Sequence, residues 1–187
     1  MSSAQTPEVL PQEPSITAAV LSYLIPGLGQ IVQGRFGKGV LFMVALLGMF
    51  FLGQAMGNWQ NVYVPREGGG RGFAAGLGAR WHYWGQVWIG VAAWPALWQH
   101  FQGPLPDADN HPFWHKFQQM PREDEVNTFL RNSDKTPDLG WVYTVIAGML
   151  NILVIYDAYA GAALAGVRPT TKPTTPPTAE PKREGAV

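Results

Sequence analysis

Apolar positions in this chain come in blocks rather than at a helix or strand period. No acidic or basic side chain falls between Glu13 and Arg35, Lys38 and Arg66, Arg80 and Asp107, or Asp138 and Asp157. Each stretch approaches or exceeds the roughly 20 helical residues needed to cross a hydrocarbon core. A soluble domain would instead disperse its apolar residues along amphipathic elements. The blocks predict an all-α, polytopic integral membrane protein with four transmembrane helices and short interfacial helices in the third loop.

Residues 1–14 are polar, carry Pro7, Pro11 and Pro14, and are expected to be a disordered tail. Residues 15–56 read as a transmembrane hairpin. Its first segment, Ser15 to Val32, contains Pro26-Gly27, where a lost helical hydrogen bond predicts a kink or break. A re-entrant hairpin is the alternative for this segment. The connector 33–39 is short, so segments one and two are expected to be antiparallel neighbours. Segment two, Val40 to Met56, ends in Gly53-x-x-x-Gly57, a spacing that permits close helix approach.

Residues 57–80 form a Gly-rich loop around Gly68-Gly69-Gly70. A phosphate-cradling loop needs a preceding strand and a Lys-Ser or Lys-Thr pair, both missing here, so a linker is expected. Segment three, 81–101, holds Trp81, Trp84, Trp88, Trp94 and Trp98 towards its two ends, with Pro95 as a candidate kink. That is the pattern of a spanning helix with two aromatic belts; a helix lying flat in the interface is the rival reading.

In the polar loop 102–138, Phe113, Phe117 and Met120, with Trp114 beside them, suit one interfacial helix. A second would follow Pro121, with Glu123 and Asp124 in its first turn and Val126, Phe129 and Leu130 on its apolar face. Segment four occupies 139–166, and the Thr- and Pro-rich tail 167–187 is expected to be disordered.

Composition narrows the function. Thirteen basic residues balance thirteen acidic ones without a basic cluster, which argues against nucleic acid as a partner. The absence of cysteine removes disulfides and thiolate chemistry. The first 15 residues carry Glu8 and Glu13 but no Lys or Arg, unlike a cleavable signal. With four alternating spans, seven basic residues would face one side and six the other, so charge leaves orientation open.

Polar residues inside the blocks are the candidate site. Alternating spans would place Gln54, Gln86 and Asn151 in one layer, roughly 5–9 Å below one face at about 1.5 Å per residue. Ser22 and Tyr23 would join them if segment one spans. Such a layer serves either as helix glue or as a small polar cavity that binds a ligand. The same arithmetic puts Arg80 or His82 within reach of Asp157, with Arg35 and Lys38 on the opposite face. His82 and His100 would lie at opposite ends of one helix, which suits no shared haem. His111 and His115 have metal-ligand spacing, but Pro112 follows the first where a zincin needs Glu. No catalytic constellation stands out, and neither an enzyme, a metal nor a cofactor is expected.

Two pieces carry a resemblance. The run from Ala19 to Gly39, with Pro26-Gly27-x-Gly29, Gly34 and Lys38-Gly39, resembles the opening of small membrane proteins related to the two-transmembrane-helix domain. The run Asn151 to Tyr159, ending Asp157-Ala158-Tyr159, resembles an ending found in uncharacterised bacterial relatives. Val32 stands where an aromatic residue is common, and Ala160 where a basic one is usual. The resemblance implies a membrane hairpin in a bacterial cytoplasmic membrane, multi-pass, with roles for Pro26, Gly27, Gly29, Gly34, Gly39, Asn151 and Asp157. It also implies a cytoplasmic hairpin loop. The function expected is a non-enzymatic structural or protein-interaction component, partnered by the lipid bilayer and by membrane proteins or further copies of itself. The alternative is a small transporter or ligand-binding protein using the polar layer.

Overall fold

The computed structural model describes residues 14–65, 76, 78, 80–102, 113, 117–121, 127, 131 and 135–165. Among them every regular element is helical: α1 (Ile16–Leu24), α2 (Leu28–Val32), α3 (Phe36–Met56), α4 (His82–Gln86), a 3-10 stretch (Val87–Ala93), α5 (Trp94–Gln102) and α6 (Thr136–Ala165). Among the described residues, only α3 and α6 are long and apolar enough to cross a membrane. They run antiparallel. Gly53, late in α3, sits so close to Gly140, early in α6, that a Cβ would press on the Gly140 carbonyl. At the other end Lys38 reaches Asp157.

Segment one is not a continuous helix. Ser15 caps α1, its Oγ accepting from the Ala18 N–H at 3.3 Å. Proline disfavours helical geometry in the residue before it, and Ile25 accordingly turns extended at φ −136°, ψ 119°. Gly27 then adopts φ 83° and opens α2. The chain doubles back: Ser15 N donates to Tyr159 O at 3.1 Å, and Gln33 Nε2 donates to Ala158 O at 2.7 Å. Both ends of the segment therefore meet one turn of α6. The hairpin alternative describes it.

Segment three also folds back, against expectation. Gly90 has φ 84° and ψ −136°, outside any helix. Tyr83 Oη donates to Ala93 O at 3.2 Å, although ten helical residues would separate them by about 15 Å. The expected kink residue, Pro95, lies in the first turn of α5, where proline is tolerated. Both limbs end beside the chain leaving α3: Arg80 Nη2 lies 3.0 Å from Asn61 O, and His100 Nδ1 lies 3.3 Å from Val64 O. The four continuous helices of the sequence reading are thus replaced by two long helices and two hairpins, because two backbone breaks reverse the chain.

The hairpins meet tip to tip. A Cβ on Gly90 would overlap the carbonyls of Tyr23 and Leu24, and the Tyr23 and Trp88 rings stand edge to face at 6.1 Å. Phe50, Tyr83, Ile89, Ala93 and Ala147 fill the core around this junction. Apolar side chains also face outward from the long helices, among them Leu41, Val44 and Leu52 of α3 and Met149 and Leu153 of α6. Phe113 and Phe117, expected on the bilayer, pack their rings on Trp59 at 5.5 and 6.1 Å. Met120, expected on the same helix face, is exposed and lies outside any helix; Trp114, Val126, Phe129 and Leu130, and the two tails apart from Pro14, lie outside the described residues, as do His111 and His115.

Candidate functional site

One face of α6 carries the polar architecture. Its buried positions Gly140, Thr144, Ala147, Gly148, Asn151, Val154, Ala158 and Gly161 recur at spacings of three, four and one. Small residues admit backbone: a Cβ on Gly148 would strike the carbonyl of Gly85 in α4. Polar residues on the same face meet what those backbones leave unpaired.

Asn151 is fully buried, and its Nδ2 donates to Ser22 O at 3.2 Å and to Trp88 O at 2.7 Å. These are carbonyls near the tips of the two hairpins, freed where each helix stops. A single amide therefore ties both tips to α6. Beside it, Ser22 Oγ accepts from the Gly29 N–H at 3.1 Å and donates to Gln30 Oε1 at 2.9 Å, closing the first hairpin on itself. Gln30 Nε2 donates onward to Val154 O at 2.9 Å and Asp157 Oδ2 at 3.2 Å.

Asp157 pairs with Arg35 at 3.2 Å and Lys38 at 2.5 Å, not with Arg80 or His82 as alternating spans predicted. The reason is the second hairpin: with segment three reversed at Gly90, α6 starts beside the end of α3 and carries Asp157 back to the 33–39 connector. Arg80 instead bonds Asn61 O and lies over the Tyr63 ring at 3.6 Å, while His82 stacks on Trp81. Burial pushes the Arg80 pKa down, opposed by Tyr63, yet an arginine remains protonated.

Two glycines of the first motif meet where the chain entering α2 crosses α3, and a third packs α2 on α1. A Cβ on Gly27 would strike the Gly39 carbonyl, one on Gly39 would meet Ile31, and one on Gly29 would strike the Ala18 carbonyl. Gly34 has open space around it and takes φ 79° in the connector turn. Pro26 is fully buried at the reversal.

The expected polar layer divides into two levels. Gln86 Nε2 donates to Thr144 Oγ1 at 2.8 Å and lies 3.3 Å from Asn61 O, and Asn61 Nδ2 donates to Gly53 O at 2.7 Å. Gln54, next to Gly53, belongs with this group at the start of α6. Asn151 lies seven residues beyond Thr144, about 10 Å along the helix. Gln54 is fully buried with neither side-chain atom hydrogen-bonded, and Gln86 Oε1 and Asn151 Oδ1 also have no partner.

Three participants escaped the sequence reading. Thr144 had a legible signal, one heptad before Asn151 on the same face. Asn61 and Gln118 had none. Gln118, fully buried at φ 58°, reaches from the third loop to bond Ala92 O at 2.6 Å and the Ala96 N–H at 3.0 Å, capping the return limb of the second hairpin.

The arrangement joins residues of both sequence motifs, and the family match, over residues 17–170, covers both of them. The chain belongs to DUF6677, a family of unknown function. The DUF6677 match includes residues 57–138, which a two-helix domain lacks, and nothing in it links the chain to the two-transmembrane-helix group. No curated protein and no solved structure matches the chain.

Proposed function

We propose that this DUF6677 protein is a non-enzymatic, multi-pass component of a bacterial cytoplasmic membrane with a structural or protein-interaction role. In this reading α3 and α6 span the bilayer, and each hairpin dips in from one side. Lipid as the solvent is supported by outward exposure: only 28% and 33% of the apolar windows of α3 and α6 are buried inside the protein. A soluble core helix would be covered on most faces.

The observation that carries the non-enzymatic reading is the use made of Asn151. Its donors are both spent on hairpin carbonyls, as a membrane fold requires wherever helices stop inside it. Asp157, the intramembrane acid that would be the first catalytic or transport candidate, is engaged by Arg35, Lys38 and Gln30. The polar segment around 102–135 and the polar chain ends then offer surfaces to partners. Purification from native membranes in mild detergent, followed by quantitative mass spectrometry, tests this. A stoichiometric membrane-protein partner, or a stable homo-oligomer, is expected. Protein recovered alone and monomeric would overturn the role.

A further inference from the structure

The connector between α2 and α3 carries more positive charge than its partner neutralises. Among the described residues, Asp157 is the only carboxylate that meets Arg35 or Lys38, and it meets both. Its two oxygens are already shared: Oδ2 takes Arg35 and the Gln30 amide, and Oδ1 takes Lys38. The first turn of α3 contains no acid. One positive charge is left over. It is accessible, since Lys38 keeps 40% of its side chain exposed and Arg35 26%. Gly34 and Gly37, on either side of Arg35, would meet nothing within 4 Å if they carried a Cβ, so the space beside the cations is open.

The position of this charge indicates what it meets. Arg35 and Lys38 stand where the apolar helix α3 begins. Leu41, Ala45, Gly48 and Leu52 follow Lys38 at spacings of three and four, and all four are exposed. That spacing keeps them on one side of the helix, so an outward stripe runs along α3 with an ammonium at its head. Val32 and Phe36, beside the connector, are exposed as well. A soluble anion would match the charge and leave the stripe unused. An anionic phospholipid matches both, with its phosphate beside the cations and an acyl chain along the stripe.

We propose that Arg35 and Lys38 bind the headgroup phosphate of an anionic phospholipid whose acyl chain lies along the exposed face of α3 from Leu41 to Leu52. This rests on the membrane reading above and names a lipid partner for it. The test offers the full chain, in mild detergent, equimolar phosphatidylglycerol and phosphatidylcholine. Native mass spectrometry then counts the lipid that each protein molecule retains. Flotation with pure phosphatidylcholine vesicles reports insertion independently.

One surplus charge should give phosphatidylglycerol a preference of about five-fold over phosphatidylcholine. Lys38→Gln leaves Arg35 and Asp157 balanced and should bring the preference to parity. Asp157→Asn frees a second cation and should raise it by about as much again, a gain that a merely structural cluster would not show. Lys135→Gln, which removes an exposed cation just before α6, should leave it unchanged. Thermal unfolding in detergent checks that the variants are folded, and Arg35→Gln replaces Lys38→Gln if that variant is not. Wild-type protein without the preference would overturn the proposal, and so would a folded Lys38→Gln protein that keeps it. Displacement of the lipid by millimolar inorganic phosphate would show a free-anion site and overturn the lipid assignment. Failure to float with the vesicles would overturn the membrane reading itself.

Discussion

The side-chain amide of Asn151 reaches the main-chain carbonyl of Ser22 at 3.2 Å, across a sequence distance of 129 residues. The same nitrogen holds Trp88 O, so one side chain joins two chain reversals to the longest helix. Replacing it with Leu keeps the volume close but strands both carbonyls. Asn151→Leu is expected to lose about 1–3 kcal/mol, the usual cost of leaving buried polar groups unsatisfied. Thermal or SDS-driven unfolding of purified protein measures it. An unchanged midpoint would mean that the hairpins hold their tips without α6.

Glycines separate into those that pack and those that do not. Gly90→Ala places a Cβ on the Tyr23 and Leu24 carbonyls at a φ of 84°, and Gly27→Ala places one on Gly39 at φ 83°. A left-handed backbone alone costs a non-glycine residue about 1–2 kcal/mol, and backbone atoms have little room to yield. Each substitution should therefore destabilise by more than that. Gly48 is the control: it is exposed within α3 with nothing near its missing Cβ. Gly48→Ala should be neutral or stabilising by up to about 1 kcal/mol through helix propensity. The two classes behaving alike would contradict the tip-to-tip contact.

How much of this was legible depends on what a break in the chain does next. The helical class and the long helices α3 and α6 follow from uncharged apolar runs, and Pro26-Gly27 announced a reversal or a kink. Gly90 announced nothing: a glycine inside an apolar run is common in membrane helices, and only its φ reveals the turn. Missing that reversal misplaced everything depending on the alternation of faces. Asp157 was assigned to Arg80 or His82, and Asn151 to the level of Gln54. The Trp pattern of segment three misled for the same reason, because a hairpin also presents tryptophans on both of its limbs. Long-range partners such as Asn61 and Gln118 have no local signature at all, since their role is to meet carbonyls that a distant break sets free.

The Asp157 cluster should couple unequally to its two cations. Lys38 is the more exposed partner, with 40% of its side chain accessible against 26% for Arg35. Removing Lys38 leaves Asp157 still paired with Arg35, whereas removing Asp157 deprives both cations of their anion. Asp157→Asn should therefore cost more stability than Lys38→Met. A double-mutant cycle between these two positions should give a coupling of about 0.5–1 kcal/mol, modest because the pair is partly solvated. Additive effects would mean that the contact contributes nothing.

Which faces the chain visits can be read directly, because the protein has no cysteine and every introduced one is unique. Ser15 and Gly34 flank the first hairpin, and Trp81 and Phe101 flank the second. With two hairpins and two spans, cysteines at 15 and 34 should react with an impermeant maleimide from one side of an inverted or right-side-out vesicle. Cysteines at 81 and 101 should react only from the other. Four alternating spans require the opposite within each pair, since every segment would then carry its two ends to different faces. Labelling of 15 and 34 from opposite sides would return segment one to a full crossing and remove the hydrogen bond from Ser15 N to Tyr159 O. Labelling of 81 and 101 from opposite sides would do the same for segment three, breaking the contact between Tyr83 and Ala93 and the pairing of Asp157 with Lys38. Because the two pairs are scored separately, the measurement can keep one hairpin and reject the other.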